Sequence, residues 1–488
     1  MKKTSFIICF LLFLANLTFA QTRKTDYYEF KGNIQGVKDT TCMLAYYFGD
    51  KQFAKDTADI DSQGNFMFKG EDQLLHGMYM VVFPEGSYME MVVTENEFSF
   101  KTNKKDLITS MEFSDSKENQ KFYGYMQHLG VQQKKLNELK AQKETASDSE
   151  KKSIESNIDV TTKVLIDFQN NFTIENPDIL FSSILNSSKE IEIPESPILV
   201  NGRSDSTFQY RYYKAHFFDN FDFSDERLLR TPIFHNKLST YLEKLTFKQA
   251  DSIIVSCDYL IERSRANSEV FQYTLSYLAS TYERSKVMGL EKVFVHIVNK
   301  YFKSDVDWLD EAQIFNITNR AETIEPLLIG NIAPELSLRD TNDVLQVLHE
   351  MDNEFTLLIF YDPDCGHCKK ELPVIKQKQN DWKKDGIDVG VYCVSVELDK
   401  EKWLEFIKTY DIGSWINVAE LKTIKEGVYN KAVDPLVTSL PELKEKYDIS
   451  GTPKVYLLDK NKKILVNAIK GNIGVDQLSE LLYIESEK

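Results

Sequence analysis

The chain has few cysteines for its length, and they are spread unevenly. Six occur among 488 residues, and Cys9 lies in an N-terminal apolar run. A small secreted protein held together by disulfides has many cysteines at regular spacing. Here one close pair, Cys365 and Cys368, is accompanied by three isolated cysteines at positions 42, 257 and 393. The sequence therefore excludes a disulfide scaffold, and we expect packed cores to stabilise the fold and the isolated thiols to be inert.

An excess of basic residues is also absent. The formal net charge is −16, from 59 Lys and Arg against 75 Asp and Glu, and no long basic run offsets it. A nucleic-acid-binding surface needs concentrated positive charge to neutralise phosphates. We therefore expect no nucleic acid among the partners, and we interpret the negative charge as a contribution to solubility.

Long apolar runs are lacking after the first twenty residues. Residues 1–21 read MKKTSFIICFLLFLANLTFAQ, in which two lysines precede an apolar stretch too short to span a bilayer. This order is typical of a secretory signal peptide, which we expect to occupy residues 1–20 and to be cleaved after Ala20. No small residues precede Cys9, so a lipoprotein anchor is not predicted. The mature protein should be exported to the periplasm or cell envelope and should have no transmembrane segment.

The length of the chain is too great for one hydrophobic core and suggests several domains. Residues 25–114 contain short alternating strands such as TTCMLAYYFG between turn residues, which predicts an antiparallel β-sandwich domain. Residues 115–325 have apolar side chains at helical spacing, which predicts a central α-helical domain. Residues 326–488 alternate buried strands with helices, which predicts a C-terminal α/β domain ending in an antiparallel hairpin.

The helical region contains signals for where its helices begin and end. Asp115 with Glu118, and Thr246 with Gln249, have the spacing of capping boxes. A highly charged stretch near residues 130–160 predicts a helical hairpin with a break after residue 146. Such charge runs usually form solvated faces, and the alternative is that this hairpin screens access to the cysteine pair.

The cysteine pair lies in FYDPDCGHCKKELP, residues 360–373. A zinc site would need further ligands, and the chain has no second C-x-x-C; haem attachment needs a histidine after the second cysteine, where the chain has Lys369. The pair follows an apolar strand and opens a helix. Cys365 would then face the free N–H groups and the positive end of the helix dipole, which stabilise a thiolate. The pattern therefore favours a redox pair and no metal.

In such a pair the two thiols have different tasks. Cys365 would be the nucleophile, and Cys368, one turn deeper, would resolve the mixed disulfide. His367 can add positive charge or a hydrogen-bond donor beside the thiolate. Asp362 and Asp364 should act in the opposite direction and raise the free energy of the thiolate.

From Gly330 onward, the sequence resembles the thioredoxin-like superfamily, and most closely its exported thiol–disulfide oxidoreductases of the TlpA/ResA kind. The resemblance rests on four segments in the expected order, which are GNIAPELSLRD, DCGHC, the helix proline Pro373 and YDISGTPKVYLLD. It implies a thioredoxin-like fold, a redox-active disulfide between the two cysteines and no cofactor. It also implies that Pro453 is cis and that Thr452 and Pro453 orient the substrate chain as a short extra strand.

Two positions near the cysteines modify this expectation. Many thioredoxins have a buried acid six residues before the first cysteine, and here that residue is Ile359, so the proton of the resolving thiol must go to water or to Glu371. The dipeptide Gly366-His367 is that of protein disulfide isomerases rather than thioredoxin. Reduction potentials of about −180 mV and about −270 mV, respectively, differ by roughly 90 mV, or about 4 kcal/mol. If the dipeptide sets the potential, the protein is a moderate oxidant or isomerase.

The leading hypothesis is an exported enzyme that exchanges disulfides with envelope proteins. A reductive role, such as cytochrome c biogenesis, would require a membrane electron donor, because the periplasm is kept oxidising. A peroxiredoxin-like peroxidase is one alternative, although Asp362 occupies the position of the threonine in its T-x-x-C pattern. The other alternative is a non-catalytic binding or scaffold protein. The two upstream regions resemble the N-terminal β domain and helical domain of envelope proteins from Bacteroidetes-type bacteria, which implies no known chemistry.

Overall fold

A computed structural model describes residues 27–397, 399–420, 424–425, 428–429, 436–467 and 474–487. The predicted signal peptide lies outside these residues. The chain divides into two compact units, Met1–Lys237 and Leu238–Lys488. Within the described ranges, no helix combines the length and the apolar character that crossing a bilayer requires.

The β part of the first unit consists of two four-stranded sheets, ordered β4-β1-β7-β8 and β3-β2-β5-β6. Their strands are β1 (Tyr28–Gln35), β2 (Thr40–Phe48), β3 (Lys51–Ile60), β4 (Asn65–Gly70), β5 (Gly77–Val82), β6 (Tyr88–Val93), β7 (Glu97–Asn103) and β8 (Glu112–Ser114). Alternate residues of β1, β4 and β7 are buried, whereas β5 is buried along nearly its whole length. Phe30 stacks on Phe98 with ring centroids 4.1 Å apart, and Cys42 is a buried thiol on β2, as expected.

One strand pair departs from the predicted antiparallel arrangement. β1 pairs in parallel with β7, from Glu29 opposite Glu97 to Gln35 opposite Asn103. A hairpin can only join antiparallel neighbours, whereas parallel strands need a long connection. Here the connection runs from the end of β1 through β2 to β6, which is long enough for β7 to return in the same direction as β1.

The helices of the first unit are α1 (Lys117–Thr145), α2 (Asp148–Glu175), α3 (Leu180–Ser187) and α4 (Phe208–His216), and α5 (Pro232–Lys244) contains the residue where the two units divide. The charged hairpin forms with its break at residues 146–147, as predicted. The predicted domain boundaries at residues 114 and 325 stay a prediction. The two compact units divide at a different point of the chain, between Lys237 and Leu238.

The predicted capping box at the start of α1 is wrong. Asp115 has a positive φ of 63°, and Ser116 is the N-cap, with its side chain accepting a bond from the Asn119 N–H. Glu118 instead accepts hydrogen bonds from the backbone N–H groups of Leu180 (3.1 Å) and Phe181 (2.8 Å). Glu118 therefore caps a second helix, α3, which the local spacing could not indicate.

In the second unit, further helices are α6 (Ala250–Ser264), α7 (Ser268–Glu283), α8 (Glu291–Ile297) and α9 (Glu311–Ile324). The second predicted capping box is also wrong, because Gln249 itself is the N-cap residue of α6. The buried Thr246 hydroxyl donates to the Tyr241 carbonyl (2.9 Å) and lies 3.0 Å from the Ser256 hydroxyl. Its burial among these partners directs it away from the helix end.

The α/β part has a seven-stranded sheet ordered β10-β9-β13-β12-β11-β16-β17 and a separate β14-β15 pair. Its elements are β9 (Ser337–Asp340), β10 (Leu345–Val347), β11 (Phe355–Tyr361), α10 (Gly366–Lys384), β12 (Val389–Ser395), α11 (Lys400–Thr409), β13 (Ile416–Ala419), β14 (Ile424–Lys425), β15 (Val428–Tyr429), α12 (Leu440–Lys446), β16 (Lys454–Asp459), β17 (Ile464–Asn467) and α13 (Val475–Ser486). The closing antiparallel pair, β16 and β17, is the predicted hairpin.

The central strand β11 is buried on both faces, because it pairs in parallel with β12 and antiparallel with β16. Its alternate residues enter two different cores. Phe355, Leu357, Ile359 and Tyr361 join the core that contains Cys368 and residues of α10, α11 and α13. We call this side of the sheet the thiol face. Leu358 and Phe360 join the other core, with residues of α12, and we call that side the tyrosine face.

Candidate active site

The cysteine pair lies where β11 ends and α10 begins. Cys365 is the N-cap of α10, with extended backbone angles (φ −70°, ψ 119°), and the helix continues through Pro373. Cys365 is partly exposed, whereas Cys368 is fully buried. The short connection after β11 therefore presents one thiol to solvent and directs the other into the thiol face.

The Cys365 sulfur is surrounded by backbone groups. The N–H of Cys368 donates to it over 3.5 Å, and in the protonated form the thiol donates to the Thr452 carbonyl oxygen over 3.2 Å. Desolvation raises the pKa of Cys365, but hydrogen bonds from the Cys368 backbone, the Thr452 side chain and the His367 backbone outweigh it. The net result is a lowered pKa, as expected for a thiol at a helix N-terminus.

The second thiol has the opposite environment. Burial, together with a hydrogen bond to the Cys365 side chain, raises the pKa of Cys368 to about 12, although a hydrogen bond with the Asp362 backbone opposes this. At neutral pH, Cys365 is thus much closer to its thiolate form than Cys368. The pair is chemically asymmetric, with an accessible thiol that ionises readily and a buried thiol that stays protonated.

The residues predicted to orient substrate lie beside the first thiol. The Thr452–Pro453 peptide bond is cis, as the resemblance implied, and it directly precedes β16. Both residues are partly exposed. The backbone of this loop therefore borders the accessible sulfur.

A buried lysine holds the loop on the tyrosine face. Lys454, which follows Pro453, is 2% exposed and donates from Nζ to the carbonyl oxygens of Tyr447 and Asp448, each over 2.6 Å. Arg320 of α9 donates to the Asp448 carboxylate over 2.6 Å. Burial lowers the pKa of Lys454 to about 8, against the opposing charge of Asp448. Sequence reasoning missed this network, because Arg320 and Asp448 are 128 residues apart.

The acidic residues near the pair are partly neutralised. Carboxylate oxygens of Asp362, Asp364 and Glu397 lie within 4.8 Å of one another. Lys402 Nζ is 2.8 Å from Asp364 and 4.0 Å from Glu397. The ion pair lowers the pKa of Asp364. Lys402 offsets part of this negative charge, and the pKa of Cys365 is lowered despite the opposition predicted from the two aspartates.

The remaining predicted positions lie around the same helix start. Gly366 and His367 occupy the exposed first turn of α10. Ile359 is fully buried on the thiol face. Burial raises the pKa of Glu371, and the charge of His367 opposes this. Among the described residues no hydrogen bond joins Glu371 to Cys368, so this carboxyl is not in position to take the buried thiol's proton directly.

Residues 342–483 match the family model described as "Thioredoxin-like domain". This range contains both thiols of the pair and the cis proline. The C-terminal region is a thioredoxin-like domain. This domain makes the chain a thiol–disulfide oxidoreductase of the thioredoxin-like type.

Upstream of the thioredoxin-like domain, two further family models match. Residues 28–122 match "Domain of unknown function (DUF4369)", and residues 118–325 match "Domain of unknown function (DUF5106)". No curated protein matches the chain. The chain therefore combines β, helical and thioredoxin-like regions, as the sequence predicted.

Several solved bacterial proteins are similar to the chain. "A domain of possible thiol-disulfide isomerase" from Cytophaga hutchinsonii is 31% identical, with 33% of this chain and 95% of that chain covered and a TM-score of 0.27. A thioredoxin-like protein from Bacteroides caccae is 19% identical, with 61% and 99% covered and a TM-score of 0.45. A thiol:disulfide interchange protein from a Bacteroides species is 23% identical, with 32% and 88% covered and a TM-score of 0.25. All three TM-scores are below 0.5, so the assignment to the thioredoxin-like family rests on the family match of residues 342–483.

Proposed function

We propose that this protein is an exported enzyme that exchanges disulfides with proteins of the cell envelope through its Cys-Gly-His-Cys site. The observation that carries the proposal is the contrast between the two thiols. Cys365 is partly exposed and has a lowered pKa, whereas burial raises the pKa of Cys368 to about 12. Attack on a disulfide needs an accessible thiolate, and delayed resolution needs a second thiol within reach.

The reaction proceeds in two exchanges. The Cys365 thiolate attacks one sulfur of a client disulfide, which forms a mixed disulfide and releases the other client sulfur as a thiolate. Cys368 then loses its proton and attacks the Cys365 sulfur. The bond between Cys365 and the client breaks, and the client leaves fully reduced while the enzyme pair is oxidised. The same steps in reverse transfer the disulfide to a client.

The cis-proline loop supports a position for the client chain. The sulfur of Cys365 lies 3.2 Å from the carbonyl oxygen of Thr452, so a client sulfur bonded to Cys365 would lie beside Thr452 and Pro453. An extended client segment can hydrogen-bond to this exposed backbone as an added strand. Thr452 and Pro453 then orient the client disulfide toward Cys365.

Two short segments of the sequence support the proposed export and the proposed direction of exchange. The N-terminal pattern of residues 1–20 supports secretion to the periplasm or cell envelope. Gly366-His367 supports the isomerase or oxidant direction. A reductive role, for example in cytochrome c biogenesis, would need a membrane donor to return electrons to the pair.

The test uses two serine variants of the full mature chain. Cys365→Ser should abolish thiol exchange, because serine provides no sulfur nucleophile, while circular dichroism and the melting temperature stay unchanged. Cys368→Ser should still attack and should accumulate mixed disulfides with envelope proteins, detected by mass spectrometry after alkylation. Exchange that persists in Cys365→Ser would rule out the mechanism, and a Cys368→Ser variant that traps no envelope protein would rule out protein clients.

A further inference from the structure

Tyr361 is a buried tyrosine whose hydroxyl has no hydrogen-bond partner among the described residues. It is the last residue of β11, four positions before Cys365, and it is fully buried. Nearly all buried polar groups in proteins are paired, because an unpaired donor loses its bonds to water without replacement. An unpaired phenol this close to the cysteine pair therefore needs an explanation.

The position of this phenol is on the thiol face. Tyr361 belongs to the same core cluster as Cys368, Cys393 and Trp403. Its ring packs on Phe406 of α11 with centroids 5.0 Å apart. The side chain is thus held in the layer between the sheet and the helices that contains the resolving thiol.

A second unpaired donor lies in the same cluster. The indole N–H of Trp403 also has no hydrogen-bond partner in the described part of the chain. The other two indoles of this core are paired, since Trp382 donates to Ser479 over 2.9 Å and Trp415 donates to Gln379 over 2.7 Å. The unpaired donors of this core are therefore specific groups and not a general looseness of its packing.

The charge state of two nearby cysteines affects the pKa of the Tyr361 phenol. Burial raises the pKa of Tyr361, and negative charge at Cys393 or Cys368 raises it further. The Trp403 indole N–H, which lies near the phenol oxygen without reaching good hydrogen-bond geometry, acts in the opposite direction, and the phenol's own O–H donor stays unpaired among the described residues. The phenol therefore stays protonated throughout the range in which thiols ionise. It also lies close enough to Cys368 for a negative charge on that sulfur to act on it.

We propose that the Tyr361 hydroxyl donates a hydrogen bond to the sulfur of Cys368 when that sulfur becomes negatively charged during resolution. The inference rests on the function proposed above and names a further residue of the same site. Ile359 provides no polar group on this face, and the phenol is one of the two buried donors there without a partner among the described residues. The hydroxyl has no partner among the described residues while Cys368 is protonated, so it is available to donate once that sulfur is a thiolate.

The step balances without a further reactant. Cys368 gives its proton to water, and its sulfur forms the bond to Cys365. The bond from Cys365 to the client sulfur breaks, and the client leaves as a thiolate that takes a proton from water. Tyr361 keeps its proton throughout. Cys393, the other fully buried cysteine of this cluster, stays a neutral thiol because burial raises its pKa well above the ordinary value.

The test is Tyr361→Phe in the full chain, which removes only the hydroxyl. The reduced protein is mixed with oxidised glutathione, the reaction is stopped by alkylation at successive times, and the glutathione adduct and the intramolecular disulfide are separated by mass. We expect adduct formation at the wild-type rate and resolution about 10-fold slower, since a hydrogen bond to a charged group is lost. The pH at which resolution reaches half its maximal rate should also rise.

Tyr392→Phe is the matched control. Tyr392 is a buried tyrosine of the adjacent strand β12, on the tyrosine face, and its hydroxyl donates to the Gln346 carbonyl over 2.9 Å. This variant should keep the wild-type resolution rate and pH profile. Tyr361→Phe should keep the wild-type melting temperature, because it removes an unpaired group.

The outcomes are distinct. Equal resolution rates in wild type and Tyr361→Phe would overturn the inference, and so would a loss of both steps together with a lower melting temperature, which would indicate a structural role. As a second readout, the pKa of Cys368 is measured by thiolate absorbance in the Cys365→Ser protein with and without Tyr361→Phe, and a value that Tyr361→Phe does not raise overturns the inference. If wild type forms no reversible disulfide at all, the proposed function itself is wrong and the inference fails with it.

Discussion

The two faces of the central sheet differ in whether their buried tyrosine hydroxyls have hydrogen-bond partners. On the tyrosine face, Tyr392 donates to Gln346, Tyr456 donates to the Tyr447 carbonyl over 3.2 Å, and Tyr447 donates to the Pro334 carbonyl. On the thiol face, Tyr361 and Trp403 have no partner among the described residues.

The difference separates stability from reactivity. A paired buried hydroxyl contributes to folding, whereas an unpaired one costs free energy and persists where it serves another purpose. The tyrosine hydroxyls of the tyrosine face are paired and Lys454 fixes the cis-proline loop, so this face acts as support, although the Thr356 hydroxyl and the Asn467 side-chain oxygen on it are unpaired among the described residues. The thiol face keeps donors available next to the sulfur that must change its charge.

The largest expected effect is on turnover, and it distinguishes two buried cysteines of the thiol face. Cys368→Ala should eliminate turnover with a client disulfide, because the mixed disulfide can no longer be resolved from within the protein. Cys393→Ala, which removes another fully buried thiol of the same core, should retain turnover and lower only the stability. Both rates are measured with the same disulfide substrate. Loss of turnover in Cys393→Ala would mean that the reactive region of this face is larger than the pair.

The next effect concerns the buried lysine of the tyrosine face. The pKa of Lys454 is about 8 in the fold and 10.5 for the ordinary side chain, so the folded state releases its proton first as pH rises. The free energy of unfolding from this group should therefore increase between about pH 8 and pH 10.5, by about 3 kcal/mol. The difference in unfolding free energy between wild type and Lys454→Met isolates this contribution from other titrating groups. A difference that stays flat over this range would contradict it.

A smaller effect compares buried tyrosines across the sheet. Tyr392→Phe breaks a formed hydrogen bond and leaves the Gln346 carbonyl without its donor, which should lower the unfolding free energy by about 1 kcal/mol. Tyr361→Phe breaks none and should leave the unfolding free energy unchanged or slightly higher. Urea unfolding of the two variants in parallel measures this. Equal destabilisation by both would mean that the two faces do not differ in this way.

The smallest effect is at the surface beside the nucleophile. Lys402→Met leaves the Asp364 carboxylate unpaired near Cys365, which should raise the pKa of Cys365 slightly and slow its alkylation at neutral pH. Both partners of this ion pair are largely exposed, so the effect should shrink with added salt. Alkylation rates at low and high ionic strength measure it. A change that is large and independent of salt would mean that Lys402 acts by direct contact.

The sequence predicted features that depend on local spacing. The order of β, helical and thioredoxin-like regions, the helix opening at the cysteine pair, the helix proline and the break in the charged hairpin all follow from short patterns. These patterns work because capping, periodicity and turn chemistry act within a few residues.

Other features depend on partners that are distant along the chain. The parallel pairing of β1 with β7, the Glu118 bonds to the start of α3 and the contact of Arg320 with Asp448 each join segments that no local spacing relates. In the sequence, Tyr361 is one residue of an apolar strand, and no local pattern indicates that its hydroxyl lacks a partner among the described residues. Side-chain satisfaction is a property of the packed interior, and the sequence alone does not reveal it.

Cys365 is both a nucleophile and the N-cap of α10. The same N–H groups that favour its thiolate stabilise the reduced form of the pair relative to the disulfide. A disulfide whose reduced form is stabilised is a stronger oxidant, because its formation gives up that stabilisation. The helix terminus thus couples the acidity of one thiol to the thermodynamic direction of exchange, and it acts in the same direction as the Gly-His dipeptide.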